Sequence, residues 1–281
     1  MDAPSTFALG GDLTVHRLGY GAMRLTGPGV WGEPADRAGA VAVVRAAVEQ
    51  GVDFIDTADS YGPFVSERII AEALHPYPQG LVIATKAGLT RPGPGTWVPV
   101  GRPSYLKQQV ELSLRTLRLE RIDLIQLHRI DPEVPLEDQL GAFVELKEQG
   151  KVRHIGLSEV SVEQLKAARE ITEIAGVQNL YNLSNRQSQA VLDYATAEGI
   201  AFIPWFPIAT GELAKPDGPV AAIARELDAT PSQIALAWLL HVSPVVLPIP
   251  GTTSLDHLTE NLAAGRLPLS DEVMAQLNSL T

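Results

Sequence analysis

The sequence contains no cysteine, which excludes disulfide bonds and cysteine-ligated metal sites. Positive charge is also scarce, because 22 Lys and Arg stand against 33 Asp and Glu for a net charge of −11. Nucleic acids and anionic membranes favour clustered Lys and Arg, so neither is expected as a partner. No uncharged apolar run approaches the ~20 residues of a membrane helix, and residues 1–11 lack the pattern of a secretion signal. We therefore expect a soluble, cytoplasmic protein.

The composition is that of a packed globular chain, with 45% hydrophobic and 20% charged residues. A length of 281 residues suits one large α/β unit, because α/β barrels commonly reach ~250 residues as a single domain. We therefore expect one domain over residues 1–281.

Short apolar runs typical of strands alternate with segments of helical period. The predicted strands lie near residues 17–21, 52–56, 81–86, 122–128, 152–158, 175–180, 200–205 and 245–249. Helices are predicted over residues 36–51, 104–119, 135–150 and 161–171. Strand followed by helix, repeated eight times, predicts a (β/α)8 TIM barrel of the α/β class. Residues 1–15 predict a β-hairpin that plugs the barrel floor, and residues 269–281 predict an extra C-terminal helix with Ser270 as its N-cap.

The alternative topology is an open, doubly wound sheet, which normally carries a glycine-rich phosphate turn after its first strand. That turn is absent. The segment RLGYGAM (17–23) contains Gly19 and Gly21, but Arg24 stands where the third glycine of G-x-G-x-x-G belongs. The barrel is therefore the favoured fold.

Three connections are long and rich in Gly or Pro, over residues 22–35, 87–103 and 206–219. Each follows a strand and therefore lies on the face of a barrel where active sites are built. Trp31 and Trp97 lie in two of these connections. We predict that both are walls of a substrate pocket.

Four polar residues lie where predicted apolar strands end: Asp56, Tyr61, Lys86 and His128. A parallel barrel gathers its strand ends around one mouth, so these side chains are expected to meet there. Taken singly, each has a structural interpretation, such as a turn cap for Asp56 or a packed loop side chain for Tyr61. Only one His is a candidate ligand, and it has no second ligand at a suitable spacing, so no metal site is predicted.

Together, the four residues suit reversible proton transfer to an alkoxide. A free tyrosine has a pKa of about 10, so a proton-donating Tyr61 needs a neighbour that stabilises its phenolate. Lys86 supplies a cation, Asp56 keeps that cation charged, and His128 orients a carbonyl oxygen or shares the proton. Proton transfer is half of a carbonyl reduction. The other half is hydride, which no side chain provides, so a nicotinamide cofactor is implied.

The same residues carry a resemblance to the aldo-keto reductase family. The matching segments are GYGAMRL (19–25), GVDFIDTADSYG (51–62), ATKAG (84–88), DLIQLH (123–128), GKVRHIGLSE (150–159), VQNLYN (177–182) and IPGTTSLDHLTENL (249–262). They occur in the family's order over essentially the full length. The resemblance implies that Asp56, Tyr61, Lys86 and His128 are the catalytic tetrad, with Tyr61 as general acid and NADPH as hydride source.

The resemblance also implies the cofactor contacts. Ser158 and Gln178 would hold the nicotinamide carboxamide, and Trp205 would stack on the nicotinamide ring. The other implied cofactor contacts are Gly21, Met23, Arg24 and Asp56. The pyrophosphate would be wrapped by residues 206–213, among them Phe206, Pro207, Ile208, Gly211 and Leu213. The adenosine phosphate would meet Gly251, Thr252, Thr253, Ser254 and His257, and the adenine would meet Glu260 and Asn261.

Two positions depart from the family pattern. Glu159 stands where the family usually has Asn, so one carboxamide contact is expected to be altered or replaced by water. At the adenosine end, many members use Lys and Arg on the 2′-phosphate, whereas this chain offers hydroxyls, backbone amides and His257. NADPH is the expected cofactor, with NADH as the alternative.

Within the family, residues 17–37, the pair Trp205 and Phe206, and the IPGTTS turn most resemble the bacterial pyridoxal reductase group. A small carbonyl substrate is expected, and a planar pyridine aldehyde is a candidate. Arg129 completes the predicted substrate pocket. Three alternatives stay open: a biosynthetic reductase of a specialised metabolite, a Schiff-base aldolase that uses Lys86, and a non-catalytic NADPH-sensing protein.

Overall fold

The computed structural model describes residues 5–208 and 218–280. Its strands are, in chain order, β1 (Thr6–Leu9), β2 (Leu13–His16), β3 (Tyr20–Gly21), β4 (Phe54–Asp56), β5 (Val82–Ala87), β6 (Leu89–Gly93), β7 (Thr96–Pro99), β8 (Ile122–Leu127), β9 (Val152–Ser158), β10 (Gly176–Gln178) and β11 (Ala201–Phe202). Its helices are α1 (Arg37–Glu49), α2 (Val65–Leu74), α3 (Pro103–Leu117), α4 (Leu136–Glu148), α5 (Val162–Ile171), α6 (Gln189–Glu198), α7 (Pro219–Glu226), α8 (Pro231–Val242), α9 (Leu255–Ala263) and α10 (Asp271–Asn278). Strands and helices alternate, as the sequence pattern predicts.

Seven parallel strands form one curled sheet in the order β11-β10-β9-β8-β5-β4-β3. The segment 245–250 closes the barrel between β11 and β3. Phe202 N donates to Val245 O at 2.9 Å, and Gly19 N donates to Pro248 O at 2.9 Å. Pro248 and Pro250 have no N–H, so this segment makes isolated backbone contacts rather than a regular ladder. The predicted (β/α)8 fold is confirmed, and its eighth strand is irregular.

The predicted helices are present with boundaries within two residues of those expected. Local sequence explains where they start and stop. Asp36 caps α1 by accepting a hydrogen bond from Gly39 N, and Ser161 forms a capping box with Gln164 at the start of α5. Gly51 and Gly150 follow α1 and α4 with φ of +96° and +75°, a backbone region that a Cβ disfavours.

The N-terminal hairpin pairs β1 with β2 and seals one end of the barrel. Leu9 and Val15 are fully buried in a cluster with the barrel residues Phe54, Val82 and Leu124. Burial of each large apolar side chain stabilises the fold by roughly 1.5–3 kcal/mol. The hairpin therefore acts as the predicted plug. At the other end of the chain, Ser270 caps α10 through Val273 N, as predicted.

The long connections carry structure of their own. Residues 89–99 form the antiparallel hairpin β6–β7, which stands beside the mouth of the barrel. The connection after β3 contains two short 3-10 turns, Ala22–Leu25 and Pro28–Val30. No helix within the described ranges, 5–208 and 218–280, is long and apolar enough to cross a lipid bilayer.

Candidate active site

The four predicted catalytic residues lie together at the mouth of the barrel. Asp56 ends β4, Lys86 is the last residue but one of β5, His128 follows β8, and Tyr61 lies in the connection from β4 to α2. Lys86 Nζ donates to Asp56 Oδ2 at 2.5 Å and to Tyr61 Oη at 3.3 Å. All four side chains are buried, and Lys86 is 0% exposed. The barrel thus brings four distant sequence positions together, and Asp56, Lys86 and Tyr61 form one hydrogen-bonded chain.

The Asp56 carboxylate is held by side-chain amides as well as by Lys86. Gln126 Nε2 and Gln178 Nε2 donate to Asp56 Oδ1 at 2.9 Å and 2.8 Å. Sequence reasoning missed Gln126, although a signal exists: it lies two residues before His128 on β8, and alternate strand residues share a face. Gln178, predicted as a nicotinamide contact, uses its Nε2 on Asp56 and keeps its side-chain Oε1 free of hydrogen bonds to the described residues.

Burial and the Lys86 cation act in opposite directions on Tyr61. Burial raises the pKa of the Tyr61 phenol, while the Lys86 ammonium lowers it, and the net pKa stays above the ordinary value. For Lys86, burial lowers the pKa but Asp56 and Tyr61 more than offset it, so its pKa is raised. The phenol is therefore protonated and the ammonium charged at neutral pH. A charged Lys86 is a poor nucleophile, which disfavours the Schiff-base alternative.

His128 is a neutral imidazole at neutral pH. Burial lowers its pKa well below 6.5, and the nearby cations Lys86, Arg129 and Arg91 add to the effect. Its Nδ1 lies 3.2 Å from Ser60 Oγ. A neutral imidazole next to Tyr61 suits hydrogen bonding to a carbonyl oxygen better than carrying a positive charge.

A cavity of about 680 Å³ opens above these residues. It is lined by Gly21, Met23, Arg24, Asp56, Tyr61, Leu89, Trp97, Pro99, His128, Arg129, Ser158, Gln178, Trp205, Phe206, Pro207, Ile208, Ile249, Pro250 and Gly251. Trp97 packs edge-on against Tyr61 with ring centroids 6.4 Å apart, which places an aromatic wall at the reacting end. Trp31, predicted as a second wall, is not among the lining residues. It lies instead against Arg91, with its ring centroid 5.6 Å from the guanidinium carbon.

Arg91 ties together the loops around the cavity, and sequence reasoning missed it. Its guanidinium donates to Val30 O, Gly29 O and Ser60 O at 2.8 to 2.9 Å. Its carbon also lies 3.5 Å from the centroid of the Trp97 ring. One buried cation therefore fixes the β3 connection, the residue before Tyr61 and the aromatic wall together. Its position in a Gly- and Pro-rich loop gave no periodic signal.

The predicted adenosine end lies beside the cavity, on the turn that leads into α9. Tyr20 Oη donates to Thr252 O at 2.6 Å, and Ser254 Oγ caps α9 by accepting from His257 N. Glu260 accepts from Thr230 Oγ1, and Asn261 is buried. Thr252, Thr253, Ser254, His257, Glu260 and Asn261 do not line the cavity itself. The predicted contacts Gly211 and Leu213 lie outside the described residues.

Glu159 has partners that explain its departure from the family pattern. Its carboxylate accepts hydrogen bonds from the indole Nε1 of Trp205 and, at 2.6 Å, from Leu180 N. Glu159 also adopts a positive φ of +56°, which turns the chain after β9. The acid therefore anchors Trp205 at the cavity wall instead of pointing freely into the site.

Two further carboxyl groups, Asp59 and Glu67, are fully buried behind the barrel wall. Asp59 accepts from Gln109 Nε2 at 2.8 Å, and Glu67 accepts from Thr85 Oγ1 at 2.7 Å. The second oxygen of each has no hydrogen-bond partner within the part of the chain that the structure describes. Sequence reasoning missed both, although Glu67 shares a helical face with the apolar Ile70 and Leu74 of α2.

These carboxyls predict that stability falls as pH rises. Burial raises the pKa of Asp59 from 3.8 to about 8 and that of Glu67 from 4.5 to about 7. Between about pH 4 and about pH 8, the folded state therefore binds more protons than the unfolded state. The free energy of unfolding declines across this range as pH rises. Glu67→Gln is expected to reduce this decline by about 1 kcal/mol or more between pH 6 and pH 9. Urea unfolding at both pH values measures it.

The exposed Glu49→Gln is the matched control for this effect, because Glu49 ends α1 on the surface. It should leave the pH dependence of the wild type unchanged. An equal decline for Glu67→Gln and wild type would show that Glu67 is ionised in the folded protein throughout this range.

The fold and the site together define a barrel oxidoreductase that handles protons on a carbonyl or alcohol oxygen. The family profile described as "Aldo/keto reductase family" matches residues 17–281. The chain belongs to the aldo/keto reductase family. The family membership that the resemblance implies is confirmed, and the protein is an oxidoreductase of this family.

Relatives and solved structures agree with this assignment. An uncharacterised oxidoreductase of Schizosaccharomyces pombe is 52% identical over 268 residues, which are 95% of this chain and 87% of the relative. The pyridoxine 4-dehydrogenase of Escherichia coli is 44% identical over 283 residues, covering 99% of this chain and 98% of the relative. An aldo-keto reductase from Klebsiella pneumoniae, solved in complex with NADPH, superposes with a TM-score of 0.86 at 26% identity, covering 98% of this chain and 94% of that one.

Proposed function

We propose that this protein catalyses the reversible, NADPH-dependent reduction of an aromatic aldehyde, with pyridoxal and pyridoxine as the substrate pair. The observation that carries the reaction type is the chain from Asp56 through Lys86 to Tyr61 Oη at the base of the cavity. The substrate is supported by the 44% identity to pyridoxine 4-dehydrogenase over nearly the whole length of both proteins. The flat cavity walls Trp97 and Trp205 suit a planar ring.

Tyr61 gives its proton to the carbonyl oxygen during reduction. Lys86 stabilises the resulting phenolate, and the three hydrogen bonds on Asp56 keep that carboxylate fixed beside the ammonium. Neutral His128 donates or accepts a hydrogen bond at the same oxygen. Because the pKa of Tyr61 is raised, the phenol is the resting form, which favours reduction near neutral pH. Alcohol oxidation needs the phenolate and is expected to gain rate as pH rises.

The described residues fit a nicotinamide cofactor. When bound, NADPH supplies the hydride. Ser158, the free Oε1 of Gln178 and the ring of Trp205 would hold the nicotinamide end. Gly251 lines the cavity and packs directly on β3, where a Cβ would lie 2.5 Å from Gly21 O. Backbone N–H groups at the start of α9 and the exposed Arg24 favour an anionic group there.

Assays with purified protein test the substrate. Oxidation of NADPH and of NADH is followed with pyridoxal, benzaldehyde and methylglyoxal. Pyridoxal with NADPH is expected to give a kcat/KM at least about 10-fold above benzaldehyde, since fitted polar groups discriminate strongly. Equal rates for all three aldehydes would contradict pyridoxal as the specific substrate and would indicate a general carbonyl reductase. Turnover of none of them, despite tight NADPH binding, would instead favour a specialised biosynthetic reductase or the non-catalytic NADPH-sensing alternative.

Glu159→Leu is expected to weaken NADPH binding about 10-fold, because loss of the hydrogen bond to the indole lets Trp205 leave its place at the cavity wall. Glu159→Gln keeps an acceptor oxygen and should recover most of the affinity. Quenching of tryptophan fluorescence on NADPH titration gives the Kd. The exposed Glu170→Leu on α5 is the matched control. An unchanged Kd in Glu159→Leu would show that Trp205 needs no anchor.

A further inference from the structure

Arg129 brings a cation to the reacting end of the cavity. It directly follows His128, is half-buried, and lines the cavity with Tyr61. Its Nη1 donates to His128 O and, at 3.0 Å, to Ser158 Oγ. These two contacts hold one nitrogen against the barrel rim. The rest of the guanidinium has no hydrogen-bond partner among the described residues.

No carboxylate neutralises this cation in the part of the chain that the structure describes, since no Asp or Glu oxygen there lies within 4.0 Å of its nitrogens. Asp56 is committed to Lys86, Gln126 and Gln178. Glu159 attracts Arg129 electrostatically, but its carboxylate bonds to Trp205 and Leu180. A partly desolvated cation without a counterion costs free energy. Binding of an anionic ligand group next to Arg129 would offset that cost.

Arg129 lies at the same end of the cavity as Tyr61, because it directly follows His128, whose ring centroid is 6.0 Å from that of Tyr61. The carbonyl must sit at Tyr61 Oη to receive its proton. An anionic oxygen next to the carbonyl carbon of the same small molecule would then face Arg129. A planar guanidinium binds phenolate and carboxylate oxygens well.

We infer that Arg129 is a specificity-determining residue that binds an anionic oxygen next to the reacting carbonyl, so that the substrates are aldehydes with a neighbouring phenolate or carboxylate. The inference rests on the proposed carbonyl reduction and deepens it. Pyridoxal belongs to this class, because its ring carries an ionisable hydroxyl on the carbon next to the one that bears the aldehyde. Neutral aromatic aldehydes of the same size lack the group.

Matched substrate pairs test the inference. The first pair is 3-hydroxypyridine-4-carbaldehyde and pyridine-4-carbaldehyde, and the second is 2-formylbenzoate and benzaldehyde. Wild type is expected to prefer the anionic member of at least one pair by about 10- to 100-fold in kcat/KM, mostly through KM. Which pair shows the preference distinguishes a phenolate from a carboxylate. Arg129→Met should bring that ratio close to one, and Arg129→Lys should keep part of it.

The ratio within a pair cancels any change in the pKa of Tyr61, because both members use the same proton donor. Arg115→Met, on the exposed face of α3, is the control for loss of one positive charge and should leave the ratio unchanged. Calorimetric titration with benzoate and with benzyl alcohol adds a readout that needs no turnover. Benzoate should bind wild type more tightly, and Arg129→Met should lose the difference.

A wild-type ratio near one in both pairs, or an unchanged ratio in Arg129→Met and Arg129→Lys, would overturn the inference. Reduction of the neutral aldehydes in that case would leave the proposed function standing. If no aldehyde is reduced at all, the proposed function fails, and the benzoate titration alone decides whether Arg129 is an anion site.

Discussion

Replacement of Tyr61 by phenylalanine is expected to lower kcat for aldehyde reduction roughly 100- to 10,000-fold, the usual contribution of a positioned general acid. The change removes one oxygen and leaves the aromatic ring that packs against Trp97 and His128. The cavity walls therefore keep their shape, and NADPH affinity should stay within about twofold of the wild-type value. Single-turnover reduction of an aldehyde, together with fluorescence titration of NADPH, separates the two effects.

Tyr77→Phe is the matched control for this substitution. Tyr77 also donates one hydrogen bond, to Leu117 O at 2.6 Å, but it lies away from the cavity. Its loss should cost about 1 kcal/mol of stability and leave kcat unchanged. Wild-type turnover in Tyr61→Phe would assign the proton to His128 or to water and would remove Tyr61 from the proposed role.

Replacement of Lys86 by methionine is expected to damage both activity and stability. Lys86 and Asp56 form an ion pair in which the side chains are 0% and 2% exposed. Removing the cation leaves a buried carboxylate without its counterion, which typically costs about 3–5 kcal/mol. It also removes the charge that lowers the pKa of Tyr61, so the phenolate becomes harder to form and alcohol oxidation should fall most. We expect a loss of about 100-fold or more in kcat.

The stability of Lys86→Met is measured by urea unfolding, and its kcat is measured in both reaction directions. The double variant Lys86→Met with Asp56→Asn should recover much of the stability but none of the activity, since it removes the uncompensated charge without restoring a cation. Lys107→Met, which breaks a surface ion pair with Glu145, should change stability by no more than about 1 kcal/mol. Oxidation that is as fast in Lys86→Met as in wild type would contradict the proposed role of the ammonium.

Local sequence signals were sufficient to predict most of the framework. Asp36 and Ser161 accept hydrogen bonds from free N–H groups at the starts of α1 and α5, and Gly51 and Gly150 follow α1 and α4 at positive φ. The apolar runs predict the strands, but they do not predict that the eighth strand is irregular. Pro248 and Pro250 break the ladder of the eighth strand, since a proline cannot donate a backbone hydrogen bond.

The site was predictable only in part, because strand ends can be read along the chain whereas contacts between connections cannot. Arg91 donates to three carbonyl groups that are 31 or more residues away, and Glu159 accepts from the indole of Trp205 across 46 residues of sequence. Neither pairing leaves a pattern of spacing. Asp59 and Glu67 were missed for the same reason, since only the packed structure shows that no water reaches them.

By itself, the sequence determined the alternation of strand and helix, the barrel class, and the four polar residues that converge on one mouth. The alternation follows from hydrophobic periodicity, which is local in sequence. The convergence follows from the barrel, in which parallel strands all end at the same face. Only the tertiary structure decided which carboxylates are paired with other groups and which cation has no carboxylate partner. Asp56 accepts hydrogen bonds from Lys86, Gln126 and Gln178, and Glu159 accepts one from Trp205. Arg129 therefore lines the cavity without a carboxylate partner among the described residues. Charge compensation depends on distances of a few ångströms between remote segments, and such distances exist only in the folded protein.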